Sequence, residues 1–277
     1  MICLFSHFKI LSYIYFCFNI KLVILKKSLF SILLVSICFL VNAQTIDSIP
    51  KEYHLNGSIS ATNNGISFIP TFSLGKPATI FNFSVGGKKL SFEPEMRFSL
   101  EGKPWSFILW WRYKLVNDDK FKITLGAHPG FSFSSVESSL NGVNTSYIKV
   151  QRYLAGEFAP NYLINKNLSI GMYYLYSHGV DYGTTGNTHF LTFNSTINNI
   201  NLSNGYYARI TPQVYYLKMD AKSGYYVSST LTFSKKNSPF SISTLGNKII
   251  NTQITASPNF VWNASLIYAF NNKFKKW

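Results

Sequence analysis

The chain has 277 residues, 47% hydrophobic and 17% aromatic but only 13% charged, with a formal net charge of +15. So much aromatic residue excludes a largely unfolded chain, and a mean hydropathy of +0.07 is too polar for a bundle of membrane helices. Tyr (18) and Phe (24) far outnumber Met (4), which favours strands over helices in one large all-β domain or two ordinary ones.

The cysteines are Cys3, Cys17 and Cys38. Lys26-Lys27, the apolar run Leu29–Val41 and the end Val41-Asn42-Ala43 before Gln44 have the order of a secretory signal peptide. The apolar run is too short for a spanning helix. Ile37 is too large for the position before a lipidated cysteine, so Cys38 carries no lipid in this reading. Residues 1–44 are therefore expected to be removed, which would leave no cysteine and no disulfide framework. The first 24 residues are surplus to that signal. Two readings of them stand: a translation start nearer Leu25, which is favoured, and a first membrane helix interrupted by Asn19 and Lys21. Residues 1–43 hold four Lys and no acid, so the remainder has 22 bases, 11 acids and a net charge of +11.

Residues 45–53 are polar, contain Pro50 and read as a periplasmic lead-in. After them turn signals recur at short intervals: Asn63-Asn64-Gly65, Gly75-Lys-Pro77, Gly86-Gly87, Gly102-Lys-Pro104, Asn117-Asp-Asp119 and Asn165-Lys-Asn167. The runs between them predict about twelve strands, near 66–74, 79–86, 90–100, 105–116, 121–135, 147–162, 168–178, 188–198, 206–217, 224–235, 240–250 and 259–270. His54–Ala61 is left as a further strand or a cap on the interior. Several strands exceed the five or six residues usual in soluble proteins and are long enough to cross hydrocarbon when tilted.

The stretch Leu90–Leu115, LSFEPEMRFSLEGKPWSFILWWRYKL, alternates with period two around the turn Glu101–Pro104. One face takes Leu90, Phe92, Pro94, Met96, Phe98 and Leu100, then Trp105, Phe107, Leu109, Trp111, Tyr113 and Leu115. The other carries Glu93, Glu95, Arg97, Arg112 and Lys114 among serines. A greasy face backed by a charged one describes a wall between lipid and an aqueous interior. The expected fold is an all-β, antiparallel, up-and-down transmembrane barrel over residues 54–270, with a short tail at 271–277. Long connections at 136–146, 179–187 and 251–258 all fall on one side if the C-terminus is periplasmic. Phe72-Ser-Leu-Gly-Lys-Pro77 recurs as Phe98-Ser-Leu-Glu-Gly-Lys-Pro104, which places two related turns on that side.

The last strand puts Phe260, Trp262, Ala264, Leu266, Tyr268 and Phe270 on one face. In this it resembles bacterial outer-membrane β-barrels of porin-like architecture. The resemblance implies that Leu266, Tyr268 and Phe270 form the aromatic-ended signal read by the barrel-assembly machinery. It implies an outer-membrane location, with lipid and lipopolysaccharide as surroundings. The tail beyond Phe270 departs from the pattern, in which the final aromatic is terminal.

The interior-facing candidates are Glu93, Glu95, Arg97, Arg112, Lys114, Lys122, Lys149, Gln151, Glu157 and Arg209. The turn at 101–104 sets Glu93 opposite Arg112, and the next turn sets Lys114 opposite Lys122. Two readings follow: an ion-pair network that fills the lumen, or a charged constriction whose excess of bases favours anions. The expected function is a narrow porin-like channel for small, anionic solutes or a structural barrel, with no enzymatic activity. The alternative is an outer-membrane hydrolase acting at the extracellular rim, with Ser177-His178 near Asp181 as its candidate residues. His128-Pro129 reads as a strand bend. A soluble secreted sandwich is the remaining reading. No residue spacing points to a metal or cofactor, and bases scattered over strands and turns argue against nucleic acid.

Overall fold

The computed structural model describes residues 51–140, 143–254 and 258–276. The expected signal peptide, the cysteines and most of the lead-in lie outside these residues. The described chain is a closed antiparallel barrel in which each strand pairs with its neighbours in sequence and β1 closes on β12. The strands are β1 (Lys51–Thr62), β2 (Ala78–Gly86), β3 (Leu90–Ser99), β4 (Pro104–Asn117), β5 (Phe121–Leu140), β6 (Val143–Leu163), β7 (Leu168–Gly179), β8 (Asn187–Ser203), β9 (Tyr206–Met219), β10 (Lys222–Lys235), β11 (Phe240–Thr252) and β12 (Phe260–Lys276).

The outer surface is apolar because period two leaves one residue in two facing away from the interior. Leu90, Trp111, Leu115, Leu154, Phe193, Val214, Ile242 and Leu266 are exposed there, on strands right round the wall. Their neighbours Ser91, Ser106, Thr192, Ser228 and Asn247 are buried inside. In water such a surface would be costly, whereas hydrocarbon covers it without loss. The chain is a transmembrane β-barrel.

Twelve strands form, but their membership differs from the expected set. Residues 54–61 belong to β1, while 66–74 form no strand. The alternating apolar residues of 66–74 suit a strand equally well on paper. Pro70, however, cannot donate to a ladder and instead opens the short 3-10 turn Pro70–Phe72. This segment folds inward, as described below. At the other end of the chain, the expected tail continues β12, and Asn271–Lys276 pair with Lys51–Asn56. The expected lead-in thus becomes strand from Lys51 onward.

Trp105 also departs from its expected side. It was expected to face lipid, yet it is only 3% exposed. Arg97 pairs with Ser106 and Phe98 with Pro104, so Trp105 is the extra residue of a bulge. The bulge lets two consecutive side chains face inward.

One end of the barrel carries short connections at 87–89, 118–120, 164–167, 204–205 and 236–239, together with both barrel termini. The other end carries the 63–77 and 253–259 connections and the long β5–β6 hairpin. In outer-membrane barrels the short turns are periplasmic. The two related turns meet at the long-loop end, with Gly75 (φ 72°) and Gly102 (φ 80°) in the left-handed region. There Lys76 Nζ lies 3.1 Å from Glu101 Oε2, joining one turn to the other.

Closure relies on a glycine. Leu266, Tyr268 and Phe270 face outward on β12, and the Phe270 ring lies over Gly57 of β1. A Cβ at Gly57 would stand 2.6 Å from Phe270 Cζ and 2.8 Å from the Asn82 carbonyl oxygen. Gly57→Val should therefore lower stability by about 1–3 kcal/mol, the usual cost of overpacking. Urea unfolding in detergent measures this, and Gly57→Val with Phe270→Ala should recover part of the loss.

Candidate functional site

Arg112 is the centre of the lumen. On β4 it pairs with Ser91 of β3 and with Gly126 of β5, and Gly126 in turn pairs with Glu157 of β6. A side chain at Gly126 would separate Arg112 from Glu157, since a Cβ there would lie 2.6 Å from Glu157 Oε1. Across that gap Arg112 Nε donates to Glu157 Oε1 at 2.6 Å and Nη2 to Oε2 at 3.2 Å. Arg112 Nη1 donates to Glu93 Oε2 at 2.6 Å. Forked contact to one carboxylate and end-on contact to another engages the whole guanidinium.

The network continues in both directions. Tyr173 of β7 donates to Glu157 Oε2 at 2.8 Å. Ser91 donates to Glu93 Oε1 at 2.7 Å, and His54 Nε2 lies 3.0 Å from Ser84 Oγ, which reaches Glu93 at 3.4 Å. The Arg112 guanidinium also sits 4.5 Å from the centre of the Trp110 ring. The bonded groups therefore run from β1 to β7 around half the wall. Glu157 is sealed inside, its side chain 1% exposed, with Arg112 as its counterion.

The structure brings Glu93, Glu95, Arg97, Arg112 and Glu157 together and leaves the other candidates apart. Arg97 bonds Glu95 and stacks over Trp105 at 4.9 Å. Lys114 pairs with Thr124, and Lys122 with Asn117 and Asn161, so the two lysines are not opposite one another. Glu93 pairs with Trp110 rather than Arg112, because the strands are offset by two residues from the expected register. The ion pair forms on the diagonal. Lys122 and Arg209 are exposed near strand ends, and Lys149 is exposed on β6 opposite Ser134. Gln151 lines the long-loop opening.

The inward segment 63–77 crosses the lumen above this network. Phe68 packs 6.1 Å from Phe190 and 5.7 Å from Tyr215, on the far wall. Ile69 joins the same cluster, which includes Leu217, Met219, Tyr226 and Ile254. Phe72 meets Tyr153 edge-on at 5.0 Å, and its carbonyl oxygen accepts the Trp105 Nε1–H at 2.8 Å. Three spaces follow one another along the interior. A cup of about 510 Å³ opens at the long-loop end over Phe72, Trp105 and Tyr153. A cavity of about 140 Å³ lies beneath, beside Ile69, Trp110 and His128. A third, of about 290 Å³, is lined by Asn56, Ser84, Glu93, Glu95 and Arg112.

His128 is part of this interior rather than a bend. Its ring meets the Trp110 ring at 4.1 Å within a continuous β5. The rim trio has no catalytic geometry. Ser177 is buried inside and His178 is exposed outside, as neighbours on one strand must be. Asp181 is held elsewhere: Arg152 Nη2 lies 2.5 Å from Oδ1, and the Arg152 amide donates to Oδ2 at 2.6 Å. Those hydrogen bonds hold the Asp181 carboxyl below the usual carboxylate range.

No family model matches the sequence, and no curated protein matches it. Among solved structures, an outer membrane channel from Pseudomonas putida F1 is similar at 8% identity and a TM-score of 0.44, covering 83% of this chain and 98% of that one. The NanC porin is similar at 12% identity and a TM-score of 0.47, covering 80% of this chain and 100% of that one. LpxR from Salmonella typhimurium is similar at 11% identity and a TM-score of 0.44, covering 78% and 100%. The architecture is that of outer-membrane β-barrels. The expectation that the chain is not an enzyme is corrected to an open question, since likenesses at these identities show the barrel and not a role. A barrel wall supports either role, and enzyme status is open.

Proposed function

We propose that the protein is a small-solute channel of the outer membrane, held shut by its own 63–77 segment, narrowed by the Arg112 network, and anion-preferring when open. The observation that supports this best is the sequence of spaces along the interior. The cup at the long-loop end and the space lined by the ion-pair cluster lie on either side of one inward segment. The segment enters from a connection between strands, so its withdrawal leaves every ladder intact. The Arg112 network by contrast belongs to the wall and would narrow any passage beside it.

Charge supports the anion preference. Lys114, Lys122 and Arg209 share the inward parity of Arg112, Thr124 and Gln213, towards the short-turn end. No carboxylate pairs with any of them among the described residues. Unpaired bases at a mouth raise the local concentration of anions. The test is the reversal potential across a KCl gradient for a variant opened by Phe68→Ser and Ile69→Ser. Chloride preference is expected, and adding Lys122→Glu and Arg209→Glu should invert its sign. Potassium preference in the opened parent would contradict the reading.

A further inference from the structure

The outer wall over β7–β9 has two features that neither the lumen nor its closure uses. The first is an apolar furrow of about 580 Å³, bordered by Ile170, Met172, Phe193, Val214 and Val227. Its origin is local. Pro160 and Pro212 have no N–H to give, and strand pairing lapses beside each: between Phe158/Tyr174 and Asn161/Gly171, and between Asn194/Gln213 and Ile197/Ile210.

The second feature stands four residues nearer the long loops on the same strands. There His189 pairs with Tyr176 on one side and Lys218 on the other. Alternation turns all three outward, because Ser177, Phe190, Leu217 and Met219 beside them are buried inside. Between this rung and the furrow lies a rung of Tyr174, Leu191, Tyr216 and Tyr225. Outward tyrosines at that level mark a membrane–water interface. Four residues of strand span about 13 Å. The basic rung therefore stands at headgroup depth and the furrow within hydrocarbon.

The chemistry of the rung suits a phosphate. Lys218 is exposed and has no ion pair among the described residues. Its nearby acid in sequence, Asp220, is occupied in accepting the amides of Gly186 and Asn187 at 3.2 and 2.7 Å. The Tyr174 hydroxyl engages His189 Nδ1 at 2.9 Å, which leaves Nε2 to meet a ligand. An ammonium and an imidazole opposite one another across two strands are about 5 Å apart at Cβ, within reach of a single phosphate.

We propose that this face binds a phosphorylated glycolipid of the outer leaflet, of the lipid A class. Lys218 and His189 hold a phosphate, and one acyl chain lies in the furrow. The furrow alone would accept any lipid, and the basic rung at the long-loop end selects the phosphorylated lipid of that leaflet.

The test uses the full purified chain in detergent micelles, with native mass spectrometry reading retention of bis-phosphorylated lipid A. Dephosphorylated lipid A and phosphatidylglycerol serve as competing probes. One lipid A molecule per chain is expected, retained about tenfold more weakly by Lys218→Glu and less strongly by His189→Gln. Lys248→Glu, exposed on β11 outside the proposed site, should leave retention unchanged. Equal retention of dephosphorylated lipid A or of phosphatidylglycerol would overturn the proposal. So would equal losses from Lys218→Glu and Lys248→Glu, which would reduce the effect to overall charge.

Discussion

Replacing Arg112 with Met is expected to destabilise the barrel by about 3–5 kcal/mol, the usual result of removing one partner from a buried ion pair. The cause is what remains. Glu157 stays enclosed with a 1% exposed side chain, and only the Tyr173 hydroxyl is left to bond it. Glu93 keeps its serines but loses its cation. A charge left without its counterion in a low-dielectric interior costs more than the pair contributed when intact. The triple variant Arg112→Met, Glu93→Gln, Glu157→Gln should therefore be more stable than Arg112→Met alone, despite carrying more substitutions. Urea unfolding in detergent, followed by Trp fluorescence, measures both. A triple variant no better than the single one would show that the carboxylates are not the source of the loss.

The second large effect is expected at Trp105. Trp105→Ala removes the Nε1–H donor to Phe72, the ring under Arg97 and the surface against which Gly65 turns. Trp→Ala substitutions in cores cost about 3–5 kcal/mol. Here much of that cost falls on the docking of 63–77 rather than on the wall, since the ladders on both sides of β4 do not use the side chain. The variant should retain a folded barrel while the segment spends far more time withdrawn. Limited proteolysis by chymotrypsin after Phe72 from the long-loop side should accelerate in Trp105→Ala and remain slow in the parent. Equal cleavage of the two would mean that the indole does not anchor the segment.

Much of the wall was legible in the sequence because period two reports directly on a membrane-spanning strand. Trp105 apart, Leu90–Leu115 showed which residues face outward and which inward, and turn spacing gathered the long connections at one end, although the count of twelve came from a different set of strands. Three features escaped for physical reasons. A bulge adds one residue to one strand, so alternation alone could not place Trp105 inside, and the tight turn that pairs Phe98 with Pro104 set the register that puts Ser91 opposite Arg112. The apolar alternation of 66–74 reads the same whether its greasy face meets lipid or the Phe190–Tyr215 wall of the lumen. Only Pro70 hinted at the difference.

The Arg112–Glu157 contact was hidden for another reason. It joins strands that are not neighbours, across β5, and is possible only because Gly126 leaves the intervening position empty. A glycine within an otherwise regular strand, between two rows of charge, was the available signal. Glu93 and Arg112 were identified as partners from a register that proved wrong by two residues. Long side chains tolerate such an offset by meeting on the diagonal. The other basic candidates gave no such clue to grouping, and the fold keeps Lys114, Lys122, Lys149 and Arg209 out of the central cluster.

The central claim is that the lumen is closed by a segment of the chain and not by the wall itself. Single-channel recording in planar bilayers tests it most directly, comparing the parent with a variant in which residues 66–74 are replaced by a short Gly-Ser linker. The parent should be silent or open only in rare, brief steps, while the variant should conduct steadily with anion preference. Steady conductance by the parent, or silence in the variant once its barrel is shown to be folded, would contradict the account.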